Sequence, residues 1–139
     1  MVCDARELQY DEGSVDEVVW FHAIEHFSLD DACVIIRNIF KWLKPGGHVV
    51  IEGPDVFKAV KNSPGEFESI RGIFGDLAEL RKGKEGYQHK WGWTGSLVQQ
   101  ELSSAGFNVS RVEDGISHPG NEWRDYRVVG FKPGVKHGV

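Results

Sequence analysis

Cysteine is scarce in this sequence, whose 139 residues contain only Cys3 and Cys33. Two cysteines so far apart in the chain exclude a disulfide framework and a CxxC metal or redox site. Long apolar runs are also absent, since none approaches the roughly 18 residues of a membrane-spanning helix. No secretory signal pattern is recognisable. These absences predict a reducing, cytoplasmic setting and no membrane partner.

Positive charge is the second shortage. The formal net charge is -5 and the sequence pI is about 5.6, so the chain has no general basic footprint for nucleic acid. Hydrophobic residues make up 40% and charged residues 27%, a balance typical of a globular protein. The length suits one domain. We therefore predict a single domain over residues 1–139, without a nucleic-acid partner.

The first half of the sequence predicts a βαβ unit. A β-branched and aromatic run, Val15–Phe21, is typical of a buried strand. Ser28 follows as a helix N-cap, and apolar residues then recur at the spacing of one helix face until Pro45-Gly46-Gly47. Residues 48–52 form the next predicted strand. Strand, helix and strand in this order predict a parallel pair with a right-handed crossover.

The second half predicts one further helix and an antiparallel pair. Thr94 is a candidate N-cap for a helix that reaches Ala105, and Gly106 suits a left-handed C-cap. Residues 107–112 and 126–131 read as strands that face each other across a polar loop. Together with the βαβ unit, this predicts an α/β fold with a mixed sheet.

One short segment matches a metal-site pattern. His22, Glu25 and His26 form H-x-x-E-H, the signature of inverted zinc proteases. A zinc site of that kind needs both histidines on one helix face, whereas here they fall between a strand and the helix cap. Neither Glu52 nor His89 lies in a recognisable ligand motif. We predict no metal between His22 and His26, and a zinc hydrolase remains a remote alternative.

Open α/β sheets offer a different use for this segment. Ligands bind beyond the carboxyl ends of parallel strands, and both His22 and residues 53–55 stand at such ends. The alternative is a structural role, in which His22 and His26 pack against the following helix and form a hydrogen bond with a loop carbonyl. Glu25 could likewise cap that helix.

Several motifs together resemble class I S-adenosylmethionine (SAM)-dependent methyltransferases of the type-11 kind. The motifs are Cys3-Asp4-Ala5-Arg6-Glu7-Leu8, Asp11-Glu12-Gly13-Ser14-Val15-Asp16-Glu17-Val18-Val19, Ile24-Glu25-His26-Phe27, Leu43-Lys44-Pro45-Gly46-Gly47-His48-Val49-Val50-Ile51, His89-Lys90-Trp91-Gly92-Trp93-Thr94 and Ala105-Gly106-Phe107. Each motif alone is weak, but their order and spacing are specific and extend over nearly the whole chain. The resemblance implies a truncated, Rossmann-like methyltransferase fold that starts in the family's third strand.

The resemblance also implies a cofactor site. Asp4 matches the acidic residue that holds the adenine amino group, and Ala5 and Arg6 match positions that line the adenine pocket. Phe21 and His22 match the end of the family's fourth strand, beside the methionine part and the sulfonium.

Glu25 and His26 match the family's E-H pair at the helix entrance. We therefore expect Asp4, Phe21, His22 and Glu25 to line one cleft. His22 and His26 are the predicted catalytic residues, because a histidine near the reacting centre can act as a general base.

The sequence lacks one part that the family uses. It has 17 glycines, yet no G-x-G-x-x-G loop follows a strand. In the family, that loop and an acidic second strand hold the cofactor's methionine and ribose. We therefore expect this chain alone to bind SAM weakly or not at all. The predicted function is methyl transfer from SAM to an unknown acceptor, and the alternative is a non-catalytic remnant that serves as a binding or assembly module.

The family's strand order, 3-2-1-4-5-7-6, has a consequence for the strand Val15–Phe21. That strand would normally pair with the family's first strand, which this sequence does not contain. An open apolar edge drives association. We expect a homodimer, or a partner that covers this edge. The alternative is that residues 1–5 fold back over it.

Overall fold

The structure, a computed structural model, describes residues 3–134. In chain order the elements are β1 (Val15–Phe21), α1 (Leu29–Trp42), β2 (Leu43–Pro54), α2 (Val56–Asn62), α3 (Glu66–Phe74), α4 (Leu77–Arg81), α5 (Gly95–Ala105), β3 (Asn108–Val109), β4 (Glu113–Asp114) and β5 (Asp125–Phe131). Two short 3₁₀ turns cover Ile24–His26 and Glu85–Tyr87. Over the described residues, no helix combines the length and the apolar character needed to cross a membrane.

The five strands form one mixed sheet with the order β1-β2-β5-β3, and β4 pairs with β5 as well. β1 and β2 are parallel, whereas β5 is antiparallel to β2 and to β3. The predicted α/β fold, with its parallel βαβ unit and C-terminal antiparallel strands, is confirmed. The order also matches 4-5-7-6, the final four positions of the strand order that the resemblance implies.

Helix α1 forms where the sequence predicts it. The Ser28 side chain accepts a hydrogen bond from the Asp31 N–H at 3.1 Å, which caps the first turn. One face of the helix is buried against the sheet, through Ala32, Ile35, Ile36, Ile39 and Trp42. Helix α5 is likewise capped by Thr94 and ends at Gly106 in the left-handed conformation (φ 109°).

β2 is longer than the sequence indicates. It begins at Leu43 and runs through Pro45-Gly46-Gly47, instead of starting at residue 48. Gly46 has φ 83°, and the pairing with β1 changes register between Val15 and Glu17. The strand therefore continues through a turn-like sequence because a glycine and a bulge absorb the distortion.

The predicted third strand of the family is not formed within residues 3–134. Residues 5–7 make a turn, and no strand precedes β1. Ala5 and Leu8 pack against the core instead. The outer edge of β1 pairs with nothing in this part of the chain, and Val19 on it is 51% exposed. Met1 and Val2 lie outside the described residues, so the fold-back of residues 1–5 stays untested.

The last predicted strand pair is also shorter than expected. Residues 107–112 contribute only Asn108–Val109 as β3, whereas β5 extends from Asp125 to Phe131. The Ser110 N–H still donates to the Val129 carbonyl at 2.8 Å, but the Val129 N–H donates to the Ser110 hydroxyl at 3.0 Å instead of to its carbonyl, and the strand ends there. The antiparallel arrangement itself is as predicted.

One buried carboxylate connects two helices. Asp55 follows β2, and its Oδ1 accepts from the N–H groups of Phe57 and Lys58, each at 3.0 Å, at the start of α2. Its Oδ2 accepts from the Gly95 N–H at 2.9 Å, at the start of α5. One side chain thus satisfies the first turns of both helices.

This double cap leads to a stability prediction. Asp55→Ala should lower the free energy of unfolding by about 2–3 kcal/mol, because it removes two caps and leaves buried N–H groups without acceptors. Asp76→Ala is the matched control, since Asp76 caps only α4 and its side chain is 41% exposed. Its loss should stay near 1 kcal/mol. Denaturant unfolding measures both, and equal losses would contradict the account.

Candidate functional site

A cavity of about 320 Å³ opens where β1 and β2 end. It is lined by His22, Glu25, His26, Pro54, Arg71, Gly75, Asp76, Tyr87, His89, His118 and Arg124. Four of these side chains are histidines, contributed by three separate parts of the chain. The carboxyl ends of parallel strands are the usual place for a ligand in an open α/β sheet.

His22 enters the cavity from the end of β1 in a strained conformation. Its φ of 49° is the one positive value found at a non-glycine position in residues 3–134. Its N–H donates to the Glu52 carbonyl at 2.8 Å, which extends the β1–β2 pairing by one residue. Such strain costs on the order of 1 kcal/mol, and it often marks functional positions.

The ring of His22 is neutral near pH 7. Burial, reinforced by the neighbouring His118, lowers the pKa of His22 to about 4. Its Nε2 lies 3.4 Å from Asp125 Oδ2, yet no hydrogen bond to that nitrogen forms among the described residues. Because the imidazole is uncharged, this approach is not an ion pair. The ring instead contacts His118 edge-on, with centroids 3.9 Å apart.

Glu52 positions the loop that carries His118. Its side chain is fully buried, and Oε1 accepts from the N–H groups of Ile116 and Ser117. Oε2 accepts from Arg127 Nη1 at 2.9 Å. Both oxygens are therefore committed to holding this loop and β5 in place, and Glu52 is not available as a metal ligand.

Glu25 is buried in the 3₁₀ turn after β1, with 2% of its surface exposed. Burial raises its pKa to about 7. One carboxyl oxygen, Oε1, lies 3.9 Å from His26 Nε2. The other, Oε2, has no hydrogen-bond partner within the described residues. Gly53 makes room for this oxygen, since a Cβ there would lie 3.2 Å from it.

His26 and His89 face Glu25 with one ring nitrogen each already engaged. His26 Nδ1 is 3.1 Å from the Gln88 carbonyl, and His89 Nδ1 is 3.1 Å from the Ile73 carbonyl. Burial lowers the pKa of His26, and it lowers that of His89 to about 4. Both rings are neutral near pH 7, so Nδ1 carries the proton and Nε2 keeps a free lone pair.

The histidines of the H-x-x-E-H pattern belong to two different groups. Asp125 and His118 accompany His22, whereas His26 lies with Glu25 and His89. Within each group, the candidate ligand atoms all lie within 4.8 Å of one another. No local motif reveals these partners, because His89, His118 and Asp125 come from positions far along the chain. The hydrogen bond from His26 to the Gln88 carbonyl is what the structural alternative for that residue predicts.

The predicted cofactor residues are only partly brought together. His22 and Glu25 line the cavity, but Asp4, Ala5, Arg6 and Phe21 do not. The expected cleft of Asp4, Phe21, His22 and Glu25 is therefore not formed within residues 3–134. The reason is that the segment around Asp4 does not continue the sheet beside β1.

Asp4 and Arg6 bind each other instead. Arg6 Nη2 is 2.5 Å from Asp4 Oδ2, and its Nη1 is 3.5 Å from Asp31 Oδ2. The hydrogen bonds from Arg6 lower the pKa of Asp4 to about 2. Phe21 lies under the guanidinium of Arg127, with Cζ 5.8 Å from the ring centroid. A cation therefore already stacks on this aromatic face.

The buried carboxyl of Glu25 predicts a pH-dependent stability. Its folded pKa, about 7, lies above the ordinary value of 4.5. The folded state therefore holds this proton more tightly, and the free energy of unfolding falls as the pH rises through that interval. Relative to Glu25→Gln, the unchanged protein should lose up to about 3 kcal/mol between about pH 5 and 8.

Denaturant unfolding in the presence of a chelator checks this at each pH. The matched control is Glu12→Gln, since Glu12 is exposed in the turn before β1. This variant removes the same carboxyl group from the surface and serves as the reference for Glu25→Gln. A flat difference for Glu25→Gln would show that Glu25 is not held in a low-dielectric environment.

Comparisons with known proteins show which proteins have a similar sequence or a similar fold. Residues 1–51 match the family described as methyltransferase domain. Among curated proteins, none matches the sequence. Several solved structures have a similar fold. One is a chain from the complex between the Haloferax volcanii Trm112 methyltransferase activator and a methyltransferase. It aligns with a TM-score of 0.64 and 18% identity, over 96% of this chain and 61% of that chain.

Two further solved structures have a fold similar to that of this chain. Burkholderia thailandensis 1,6-didemethyltoxoflavin-N1-methyltransferase, with bound 1,6-didemethyltoxoflavin and S-adenosylhomocysteine, has a TM-score of 0.64 and 15% identity, over 96% of this chain and 50% of that chain. A SAM-dependent methyltransferase from Methanosarcina mazei has a TM-score of 0.64 and 17% identity, over 97% of this chain and 67% of that chain.

Identities this low support likeness of fold, and the chain spans about half to two thirds of these relatives. The resemblance to class I SAM-dependent methyltransferases and the Rossmann-like fold are confirmed. The zinc hydrolase alternative receives no support from any of these matches.

Proposed function

From the class I methyltransferase fold that the chain carries, we propose that it forms the part of a SAM-dependent methyltransferase where the methyl acceptor meets the reactive end of the cofactor. The observation that carries this proposal is the histidine-lined cavity at the carboxyl ends of β1 and β2. Its volume of about 320 Å³ suits a small acceptor. SAM would supply the activated methyl group.

His22 is the proposed general base. It is neutral, so it can take the proton that an acceptor hydroxyl or amine loses during transfer. The Asp125 carboxylate, 3.4 Å from Nε2, would stabilise the imidazolium that forms. His26 is the second proposed catalytic residue, because in the metal-free chain its Nε2 has no hydrogen-bond partner among the described residues and can bind the acceptor. The cavity also holds the acceptor in place, and positioning supplies much of the rate in such reactions.

The proposed cofactor contacts are those that the resemblance implies, namely Asp4, Ala5, Arg6, Phe21, His22 and Glu25. At Phe21 the guanidinium of Arg127 already stacks on the ring, so a sulfonium cation would have to displace that guanidinium or use the opposite face. At Asp4 the fit requires an exchange, since the carboxylate would have to release Arg6 to accept from an adenine amine.

A SAM titration followed by NMR tests this proposal. We expect weak binding, because the glycine-rich loop of the family is not in this sequence. The amide signals of Phe21, His22 and Glu25 should shift, whereas the signal of His48, which lies midway along β2 and pairs with Glu17 near the start of β1, should not. Phe21→Leu should weaken the response, and Phe131→Leu, which changes an exposed ring beside His48, is the matched control.

Two outcomes would overturn parts of the proposal. If no signal shifts at millimolar SAM, the chain does not contact the cofactor, and the non-catalytic binding module becomes the better hypothesis. If calorimetry gives micromolar affinity, the residues of this chain suffice for binding and the expectation of weakness is wrong.

We also propose that the outer edge of β1 pairs with a second copy of the chain. The residues from Val18 to Phe21 include neither the Lys nor the Pro that natural edge strands use against association. A shallow apolar cavity of about 120 Å³, lined by Ala5, Leu8 and Trp20 among others, adjoins this edge. Two copies related by a twofold axis could cover both features.

Light scattering of the 139-residue chain at micromolar concentration tests this pairing. We expect a dimer. Val19→Lys should yield a monomer, because it puts a charge on the exposed edge. Val34→Lys is the matched control, since Val34 is similarly exposed (47%) but lies on α1. A clean monomer for the unchanged chain would refute the proposal.

The proposed setting is the reducing cytoplasm. Cys3 and Cys33 are both free thiols in the structure. Cys33 Sγ donates to Glu101 Oε2 at 3.2 Å. Burial raises the pKa of Cys33 to about 11, which makes it an inert thiol.

A further inference from the structure

We propose that Glu25, His26 and His89 bind one divalent transition-metal ion in the cavity. The sequence alone predicts no metal, because its H-x-x-E-H pattern pairs His22 with His26, and these two histidines lie between a strand and the helix cap. The geometry points to a different set, in which His22 is not a ligand and His89 is. This inference does not depend on methyl transfer, since it concerns three side chains and an ion.

Both histidines are oriented as metal ligands are. A metal-bound histidine almost always donates its other ring N–H to a carbonyl or a carboxylate, which fixes the ring and the tautomer. His26 Nδ1 donates to the Gln88 carbonyl, and His89 Nδ1 donates to the Ile73 carbonyl, each at 3.1 Å. The two Nε2 atoms are therefore left as acceptors in the same small region.

Glu25 supplies the negative ligand. Its side chain is 97% buried, and Oε2 has no hydrogen-bond partner in the part of the chain that the structure describes. Leaving such a carboxylate unpaired is unfavourable, and buried charges are normally paired or bound to metal. The other oxygen, Oε1, lies 3.9 Å from His26 Nε2, so this buried side chain places a carboxylate oxygen beside the free ring nitrogens.

The distances suit one ion. The candidate ligand atoms of the three residues lie within 4.8 Å of one another, and His26 Nε2 is 3.9 Å from Glu25 Oε1. Atoms bound to one tetrahedral ion at about 2.0–2.2 Å lie about 3.5 Å apart. Relative shifts of the side chains of up to about 1 Å would therefore bring the three ligands to one ion.

The backbone around His89 is held in place without the ion. Its N–H donates to the Phe74 carbonyl at 3.0 Å, and Gln88 forms a bridge with Gly75. Gly75 has φ 114°, a conformation that other residues rarely adopt, which lets residues 87–88 approach closely. Lys90 N donates to the Glu25 carbonyl at 2.7 Å. These bonds fix the two ligand segments against each other.

The ligand set identifies the class of ion. Two imidazole nitrogens and one carboxylate oxygen favour Zn²⁺, Fe²⁺ and similar ions over Mg²⁺ or Ca²⁺, which prefer oxygen ligands. Three protein ligands leave at least one position open toward the cavity. Two cations also line it, but Arg71 is 3.5 Å from Asp76 and Arg124 is 3.0 Å from Asp125, so each has its own carboxylate.

The other histidine group is a weaker candidate. His118 is exposed, and Asp125 Oδ1 is already bound by the guanidinium of Arg124. A cation placed at His22, His118 and Asp125 would face that guanidinium directly. Within the described residues, no carbonyl fixes the second ring nitrogen of either histidine. We therefore assign the ion to the group that contains His89.

Calorimetry with Zn²⁺ and absorption spectroscopy with Co²⁺ test the site. The chain is first stripped with a chelator, and no SAM is added. We expect one Zn²⁺ per chain with micromolar or tighter affinity, and a visible Co²⁺ band typical of four or five ligands. Because each removes one ligand, His89→Ala and Glu25→Gln should weaken Zn²⁺ binding by about 100-fold or more.

The matched control is His48→Ala. His48 pairs with Glu17 at the opposite end of the sheet, so its loss should leave the Zn²⁺ affinity unchanged. Circular dichroism and thermal unfolding of the stripped variants confirm that they fold, and His89→Gln replaces His89→Ala if the alanine variant does not.

Three results would overturn the proposal. One is the absence of stoichiometric Zn²⁺ binding, and another is an equal loss of affinity in His48→Ala. The third is a loss in His118→Ala with none in His89→Ala, which would put the ion in the other group. Since SAM is absent from this experiment, its failure and the failure of the methyltransferase proposal are distinguishable.

Discussion

The candidate site depends on the hydrogen bonds that one buried residue, Glu52, makes through its backbone and its side chain. Its backbone carbonyl holds the N–H of His22 at the end of β1, while its side chain holds Arg127 of β5 and the amides of Ile116 and Ser117. One fully buried residue thus fixes the end of β1, the last long strand and the loop with His118. Removing one partner of a buried charge pair is strongly destabilising, so this junction has little freedom to rearrange.

Burial explains the chemistry of the cavity. The charged forms of His22, His89 and Glu25 are disfavoured together, since burial lowers the pKa of each histidine to about 4 and raises that of the glutamate to about 7. The rings are therefore acceptors at neutral pH, able to take a proton or hold an ion. Clusters of perturbed groups in a cleft are typical of functional sites.

The sequence predicts the elements that depend on local signals. Ser28 and Thr94 cap helices where expected, and the periodicity of α1 gives its buried face. The sequence predicts less well the features that depend on contacts between residues far apart in the chain. β2 continues through Gly46 because β1 adjusts its register. His89 joins His26 only through the fold of the intervening helices, which no spacing rule reveals.

A crystal structure of the chain with S-adenosylhomocysteine would test the central claim most directly. The claim is that methyl transfer takes place at the cavity where β1 and β2 end. It predicts the cofactor's sulfur beside the Phe21 ring, with its free side toward His22 and the cavity. A cofactor bound away from β1, or sulfur facing away from His22, would contradict the account.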